Sequence, residues 1–275
     1  MVYKDNKLST ELEEKLQQLN DNQSKWASLS YESKLKLLEE LDHYASKVAT
    51  EEDWEALGEW VTCTMMGIPT HTPEGQLRKT EESCIPLLVL KGSLEKLIEA
   101  YRMKCGTNKN ANIYDQKLVG KKAVNGQVYM NVFPLLSKDK FGPFGSLQVD
   151  WWLDSKNVKT QEDTPKPFDL EHFHEKADKG VMLVLGAGNQ SNLPIVDVLE
   201  GLFVRNRTVL LKHHPLRGGG MEPLLRKIMK PMYDAGYLDS VLDLGSIEAN
   251  IALTYHPLVT AIHMTGGKST HDAIV

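Results

Sequence analysis

The chain has 275 residues, 41% of them hydrophobic and 25% charged, with a formal charge of -5. This is the composition of an ordinary globular protein, long enough to bury a sizeable core. The acidic balance and the lack of a dense Lys/Arg run exclude nucleic acid and a membrane surface as expected partners. Apolar runs reach only about half a membrane span. The N-terminal stretch MVYKDNKLSTELEEKLQQLN has no apolar signal region and is too acidic for a typical transit peptide. The three cysteines, Cys63, Cys84 and Cys105, keep neither a C-x-x-C nor a zinc spacing, which predicts reduced thiols in a cytoplasmic protein.

Helical periodicity dominates residues 1–105. Leu12, Leu16 and Leu19 recur on one helical face, with Thr10 and Glu13 as a capping box. A second helix follows Ser30, with Leu37, Leu41, Tyr44 and Val48 expected inward. Thr50 caps a third segment that stops before Pro69. Residues 69–82 carry two prolines and a glycine and read as a loop; Ser93 then caps LEKLIEAYRMKC.

Residues 106–180 read as an irregular, strand-containing connection, assigned to oligomerisation or an insertion. GQVYMNVFPLLS and GSLQVDWWLD are strand-like, separated by the turn stretch DKFGPFG. His172 and His174 in HFHEK read as a solvated loop, since a structural zinc site needs four ligands. No metal is expected.

From residue 181 the pattern becomes βαβαβαβ. VMLVLG (181–186) is a continuously apolar run, as in a strand buried on both faces. Pro194 then opens a helix. TVLLK (208–212) is a second strand, and a helix follows that Pro231 kinks and Gly236 ends. SVLDLG (240–245), a short helix and LVTAIHM (258–264) complete the alternation. It predicts a parallel sheet whose ligand lies beyond the carboxyl ends of the strands, where GAGNQSN, KHHP and TGGKST fall.

The tail GGKST suggests a P-loop, but G-x-x-x-x-G-K-[ST] would need glycine at 262, and that residue is Ile262. The ordinary dinucleotide fingerprint also fails. Gly186 and Gly188 are present, but Ser191 replaces the third glycine, and the second strand ends in Lys212 rather than near an acid.

A third reading keeps both features. GVMLVLGAGN resembles the strand and loop that end in the active-site asparagine of aldehyde dehydrogenases, usually P-W-N. RNRTVLLK resembles that family's A-G-N-T-V-V-L-K, and Lys212 follows Asn189 at the family's separation. DAGYLDSVLDLG and HPLVTAIHMTGG resemble its third-strand segment and its H-P-x-x-x-x-I-x-F-T-G-S turn. KWASLSYESKLKLLEELDHYASKV is similar to its N-terminal helical segment. The resemblance runs over most of residues 20–60 and 181–275, and is weak over 61–180.

The implied fold is α/β. An N-terminal helical segment (1–105) precedes a Rossmann-like parallel βαβ sheet of the aldehyde dehydrogenase type (181–275), incomplete at the C-terminus. The resemblance makes Asn189 the catalytic amide beside the substrate carbonyl, a preorganised donor to an oxyanion. Asn192, in an N-L-P that is similar to the family's N-F-P, stays an alternative. The cofactor-binding residues implied are Gly188, Lys212, Gly266, Gly267 and Lys268. Lys212 would bond the adenosine ribose, and the glycine turn would face the pyrophosphate. Lys268 adds a cation at a helix start.

Departures qualify the match. Pro215 stands where the family carries a ribose-binding glutamate, so the cofactor is NAD or NADP, with the missing charge favouring a 2′-phosphate. Arg217 is read as a solvated loop residue that would assist only secondarily. Gly267 replaces the family's serine, and His271 replaces a later glycine. None of the three cysteines matches the family's nucleophile, which lies downstream of the TGG turn.

The chain is therefore expected to be the N-terminal part of a longer protein, inactive alone, or to need a partner. The expected activity is NAD(P)-dependent oxidation or reduction of a small aldehyde or acyl substrate by a homo-oligomer or with the missing C-terminal portion. An acyl-CoA (acyl-thioester) reductase and a non-catalytic nucleotide-binding or oligomerising pseudoenzyme are the alternatives.

Overall fold

The computed structural model describes residues 8–107, 120–134, 146–164 and 180–274. They fall into two compact units, one of residues 1–101 and 173–275, the other of 102–172. DKFGPFG and the pair His172/His174 lie outside the described residues.

In the larger unit a four-stranded parallel sheet holds β4 (Val181–Leu185), β5 (Val209–Lys212), β6 (Leu238–Val241) and β7 (Val259–Met264) in the order β6-β5-β4-β7. The apolar run 181–185 becomes a central strand, with residues 181–184 buried. β6 begins at Leu238, earlier than the apolar run predicts, because the backbone of Tyr237 already bonds Val209 N–H at 3.0 Å. The chain moves outward from β4 to β5 to β6, then returns to the other side of β4 as β7. This reversal opens a crevice between the carboxyl ends of β4 and β7.

Each face of the sheet finds its cover for a sequence-readable reason. Helix α1 (Thr10–Ala27) buries Leu12, Leu16 and Leu19 against Val181, Leu183 and Leu210. Its cap is Ser9, whose hydroxyl accepts from Leu12 N–H at 3.3 Å, rather than the expected Thr10. Gln23 extends the sheet edge by accepting from Thr208 N–H at 2.7 Å and donating to the Asn206 carbonyl. On the opposite face α5 (Leu193–Leu199), continued by a π-helical turn to Val204, packs so close that a Cβ at Gly201 would stand 2.7 Å from Val209 Cγ2.

Two expectations in the helical region are corrected. Helix α2 (Tyr31–His43) turns Lys34, Leu38 and Leu41 inward, while Leu37, Tyr44 and Val48 are only half-buried. Lys34 is buried because it lies 4.9 Å from the Trp26 ring and bonds Asn206 Oδ1 at 2.5 Å. The expected 69–82 loop is short: after α3 (Glu51–Trp60), helix α4 runs from Pro73 to Lys104. Pro73 opens it, where a missing N–H is harmless. Gly75 serves close packing, since its Cβ would meet the Pro69 carbonyl oxygen. Ser93 therefore lies inside a helix rather than at its cap.

Beyond β5 come α6 (Gly218–Ile228) and α7 (Lys230–Asp234), broken at Met229 with Pro231 in the first turn of α7. Gly236 then takes the left-handed conformation, φ 68°. The remaining helices are α8 (Ile247–Thr254) and α9 (Lys268–Ile274). No described helix is long and apolar enough to cross a membrane.

The smaller unit contains an antiparallel sheet of β1 (Lys121–Lys122), β2 (Val128–Phe133) and β3 (Val149–Trp152). Alternation along β2 buries Val128 and Met130; Tyr129 stacks on Trp152 with ring centroids 5.1 Å apart. Trp151 and Trp152 remain exposed.

Candidate functional site

The crevice is a cleft of about 700 Å³. One wall is the loop after β4 (Leu185 to Asn189) with Lys212 and His214 after β5; the other is Met264 to Gly267 with α9; helix α8 closes the end. Gly188, Asn189, Lys212, Gly266 and Gly267 all line it. Lys268 does not: it is 85% exposed and pairs with Asp272 one turn along α9. Asn192 is at the start of α5 and is absent from the lining, so of the two asparagines only Asn189 faces the cleft.

The β4–β5 wall is built by a residue that sequence reading placed in solvent. Arg217 is 2% exposed. Its guanidinium donates to the Gly188 carbonyl at 2.7 Å, the Asn189 carbonyl at 2.8 Å and Glu82 at 3.1 Å, and to Ser191 Oγ. Ser191 in turn donates to Glu82 at 2.8 Å. Three bonds from one planar fork thus hold the loop, two of them at its backbone carbonyls, and Glu82 from α4 takes the fourth and balances the charge. The signal available in sequence was small: Glu82 lies in the stretch read as loop. The Asn189 side chain itself is exposed and makes no hydrogen bond among the described residues.

The two glycine stretches differ. Gly186 N–H bonds the Lys212 carbonyl at 2.9 Å, and a Cβ there would come within 3.2 Å of that oxygen. At Gly188 a Cβ would lie 2.6 Å from the His214 ring. These glycines are demanded by the protein's own packing. At Gly266 and Gly267 a Cβ meets nothing closer than 3.7 Å, and neither has a positive φ. Nothing among the described residues requires glycine there; the turn is open to an approaching group. Thr265 and His263 anchor it from behind on the buried Asp197, at 3.1 Å each. The Asp197 carboxylate raises the His263 pKa above its ordinary value.

Electrostatics favour an anion near β5. Burial lowers the Lys212 pKa, with Asp243 partly offsetting that effect. Burial and the charges of Lys212 and Arg217 lower that of His214. Pro215 is exposed and supplies no carboxylate. The other histidine, His213, is turned away: it is buried and meets Glu222 at 2.6 Å, and Glu222 also accepts from Ser240. No cysteine is among the residues lining the cleft.

No protein-family model matches the sequence, and a search of curated proteins finds no relative. Solved structures do match. An NADP-dependent glyceraldehyde-3-phosphate dehydrogenase from Bacillus halodurans C-125, complexed with NADP, is 17% identical with a TM-score of 0.51, over 96% of this chain and 42% of that one. An NAD-dependent benzaldehyde dehydrogenase from Corynebacterium glutamicum is 13% identical with a TM-score of 0.52, over 96% and 43%. The chain spans less than half the length of these structures. It has the aldehyde dehydrogenase fold, over the share of that fold that its 275 residues cover.

Proposed function

We propose that the cleft binds a nicotinamide dinucleotide and that the chain carries the cofactor-binding share of an oxidoreductase acting on an aldehyde or acyl group. The observation that carries this reading is the pairing of Lys212 on one wall with an unobstructed Gly266-Gly267 turn on the other, at a topological switch point. The residues suit such a ligand. Lys212 is a half-buried donor for ribose hydroxyls, and the glycines admit a phosphate to the backbone. Ile247 and Ile251 offer an apolar end for a base. The cleft volume is also within the usual range for ligand sites, roughly 300–1,000 Å³.

A bound nicotinamide supplies hydride chemistry. The chain's own residues bind, orient and stabilise charge. Arg217 and Glu82 hold the loop so that the Asn189 side-chain amide projects into the cleft, as a donor to a developing oxyanion. With Pro215 where a carboxylate would repel it, a 2′-phosphate is the better tolerated form, so NADP is favoured over NAD. The exposed Trp151 and Trp152 support self-association of the complete protein.

A second reading is a nucleotide-binding protein without turnover of its own, favoured by the departures at Pro215, Gly267 and His271. Calorimetry with NADP, NAD and ATP tests the first part: both dinucleotides are expected to bind, ATP weakly, and Lys212→Ala to weaken the dinucleotides at least several-fold. Unchanged binding in Lys212→Ala removes this lysine from the site. Reduced-cofactor absorbance of the complete protein with an aldehyde present separates the two readings.

A further inference from the structure

We propose that His263 and Asp197 are positioning residues, an ion pair whose charge sets how firmly the Thr265–Gly267 turn is held against α5. Both are absent from the cleft lining, so they act on a ligand only through the turn. The consequence for a dinucleotide rests on the cofactor reading above; the ion pair and its grip on the turn do not.

The local sequence sets up the pair. Helix α5 buries Pro194, Ile195, Val198 and Leu199, and Asp197 is buried along with them, 5% exposed. A carboxylate on an apolar helix face is costly unless it is paired. Its partners come from the end of β7. His263 and Thr265 are two positions apart, so both side chains leave on the α5 side. His263 Nε2 meets Asp197 Oδ1 at 3.1 Å, and the Thr265 hydroxyl donates to Oδ2 at 3.1 Å. One carboxylate thus ties the strand end to the residue that begins the turn. Beyond it, Gly266 and Gly267 have little packing around them, and Lys268 pairs within α9.

The charge of His263 decides the strength of this tie. The charged ring neutralises the buried carboxylate. The neutral ring still donates from Nε2 but leaves the carboxylate without a counter-ion, a weaker bond. Asp197 and, from the π-helical turn after α5, Glu200 favour the charged ring. Partial burial opposes it, as does Arg205, itself paired with Glu200 at 3.1 Å. The net effect keeps the ring charged above the ordinary histidine value of 6.5. β4 brings no charge, since Val184 lies beside His263 in the parallel pair. α8 sits on the other face of the sheet, with Leu253 in the core that α1 covers. Lys268, His271 and Asp272 of α9 pair with one another.

A raised folded pKa fixes the sign. The stability from the pair is fully present below about 6.5 and is lost as pH rises through the His263 value in the folded protein. Over that window the turn loosens. The cleft then loses hold of the pyrophosphate that NAD and NADP share, so both affinities fall together.

NMR of the full chain reads the pair without any ligand. The expected result is a His263 ring that titrates above 6.5, with a Thr265 methyl that is ordered below the midpoint and mobile above it. In Asp197→Asn the His263 midpoint falls. His263→Gln keeps a donor and loses the charge, so its Thr265 methyl should be mobile at every pH. Calorimetry with NADP and with NAD should show both affinities falling several-fold across the same midpoint, in equal proportion, and His263→Gln should remove that part of the profile. A Thr265 methyl equally ordered on both sides of the midpoint, or a transition that persists in His263→Gln, overturns the proposal. Dinucleotide affinities that ignore the midpoint overturn the effect on the ligand. If neither dinucleotide binds while Thr265 still follows His263, the cofactor reading falls and the ion pair's hold on the turn stands. The wild-type titration decides the matter even should a variant fold poorly.

Discussion

The two walls of the cleft use similar sequence for opposite purposes. On the β4–β5 wall, GAGNQS is built from behind: Arg217 and Glu82 fix its backbone, and its glycines are places where the protein touches itself. On the β7 wall, TGGKST is anchored from behind at Thr265, with His263 beside it; a Cβ at either glycine would meet none of the described residues closer than 3.7 Å, and its lysine pairs outward with Asp272. A glycine forced by packing reports the fold. A glycine that packing leaves free points to something outside the chain.

The contrast is breakable. Arg217→Ala should have the largest effect. It strips the loop of three hydrogen bonds and leaves Glu82, 17% exposed, without its cation. A loss of about 3–5 kcal/mol is expected in urea denaturation, as for one broken half of a buried ion pair. A loss below about 1 kcal/mol would show that the wall is not built this way.

The amino end of β5, away from the cleft, can be probed by pH. Lys34, buried against Trp26 and Asn206 just before β5, is held at about 8 by desolvation against an ordinary 10.5. Its folded pKa is depressed, so below about 8 the folded state bears the full cost of a buried ammonium. Between about 8 and 10.5 the unfolded chain binds more protons, and stability rises with pH. The rise attributable to this group is at most ~3 kcal/mol. Lys34→Met should flatten that part of the stability profile; an unchanged profile would assign the rise elsewhere.

The glycines give the sharpest pairing. Gly188→Ala should cost about 1–3 kcal/mol, because the His214 ring must move. Gly266→Ala should change stability by less than about 0.5 kcal/mol while weakening NADP binding. Equal stability losses at the two positions would erase the distinction between the walls.

The alternation from residue 181 was legible because buried parallel strands write themselves as short apolar runs, and 181–185 and 209–212 follow that rule. Ile262 was legible too: an isoleucine paired to Leu183 inside β7 cannot start a phosphate loop. The start of α4 was not, because Pro73 and Gly75 look like loop residues until the Pro69 turn is seen packed on them. Arg217 was misread for a related reason. Whether an arginine is solvated depends on partners, and Glu82 is 135 positions away. Spacing to Lys212 favoured Asn189 over Asn192, and the fold puts Asn189 in the cleft and Asn192 at a helix start.

Hydrogen–deuterium exchange with and without saturating NADP tests the central claim most directly. The amides of 265–268 should slow markedly on binding, because that wall waits for its ligand. The amide of Gly186, already bonded to the Lys212 carbonyl, should be protected beforehand and change little. Unaltered exchange at 265–268, or protection confined to another part of the molecule, would contradict it.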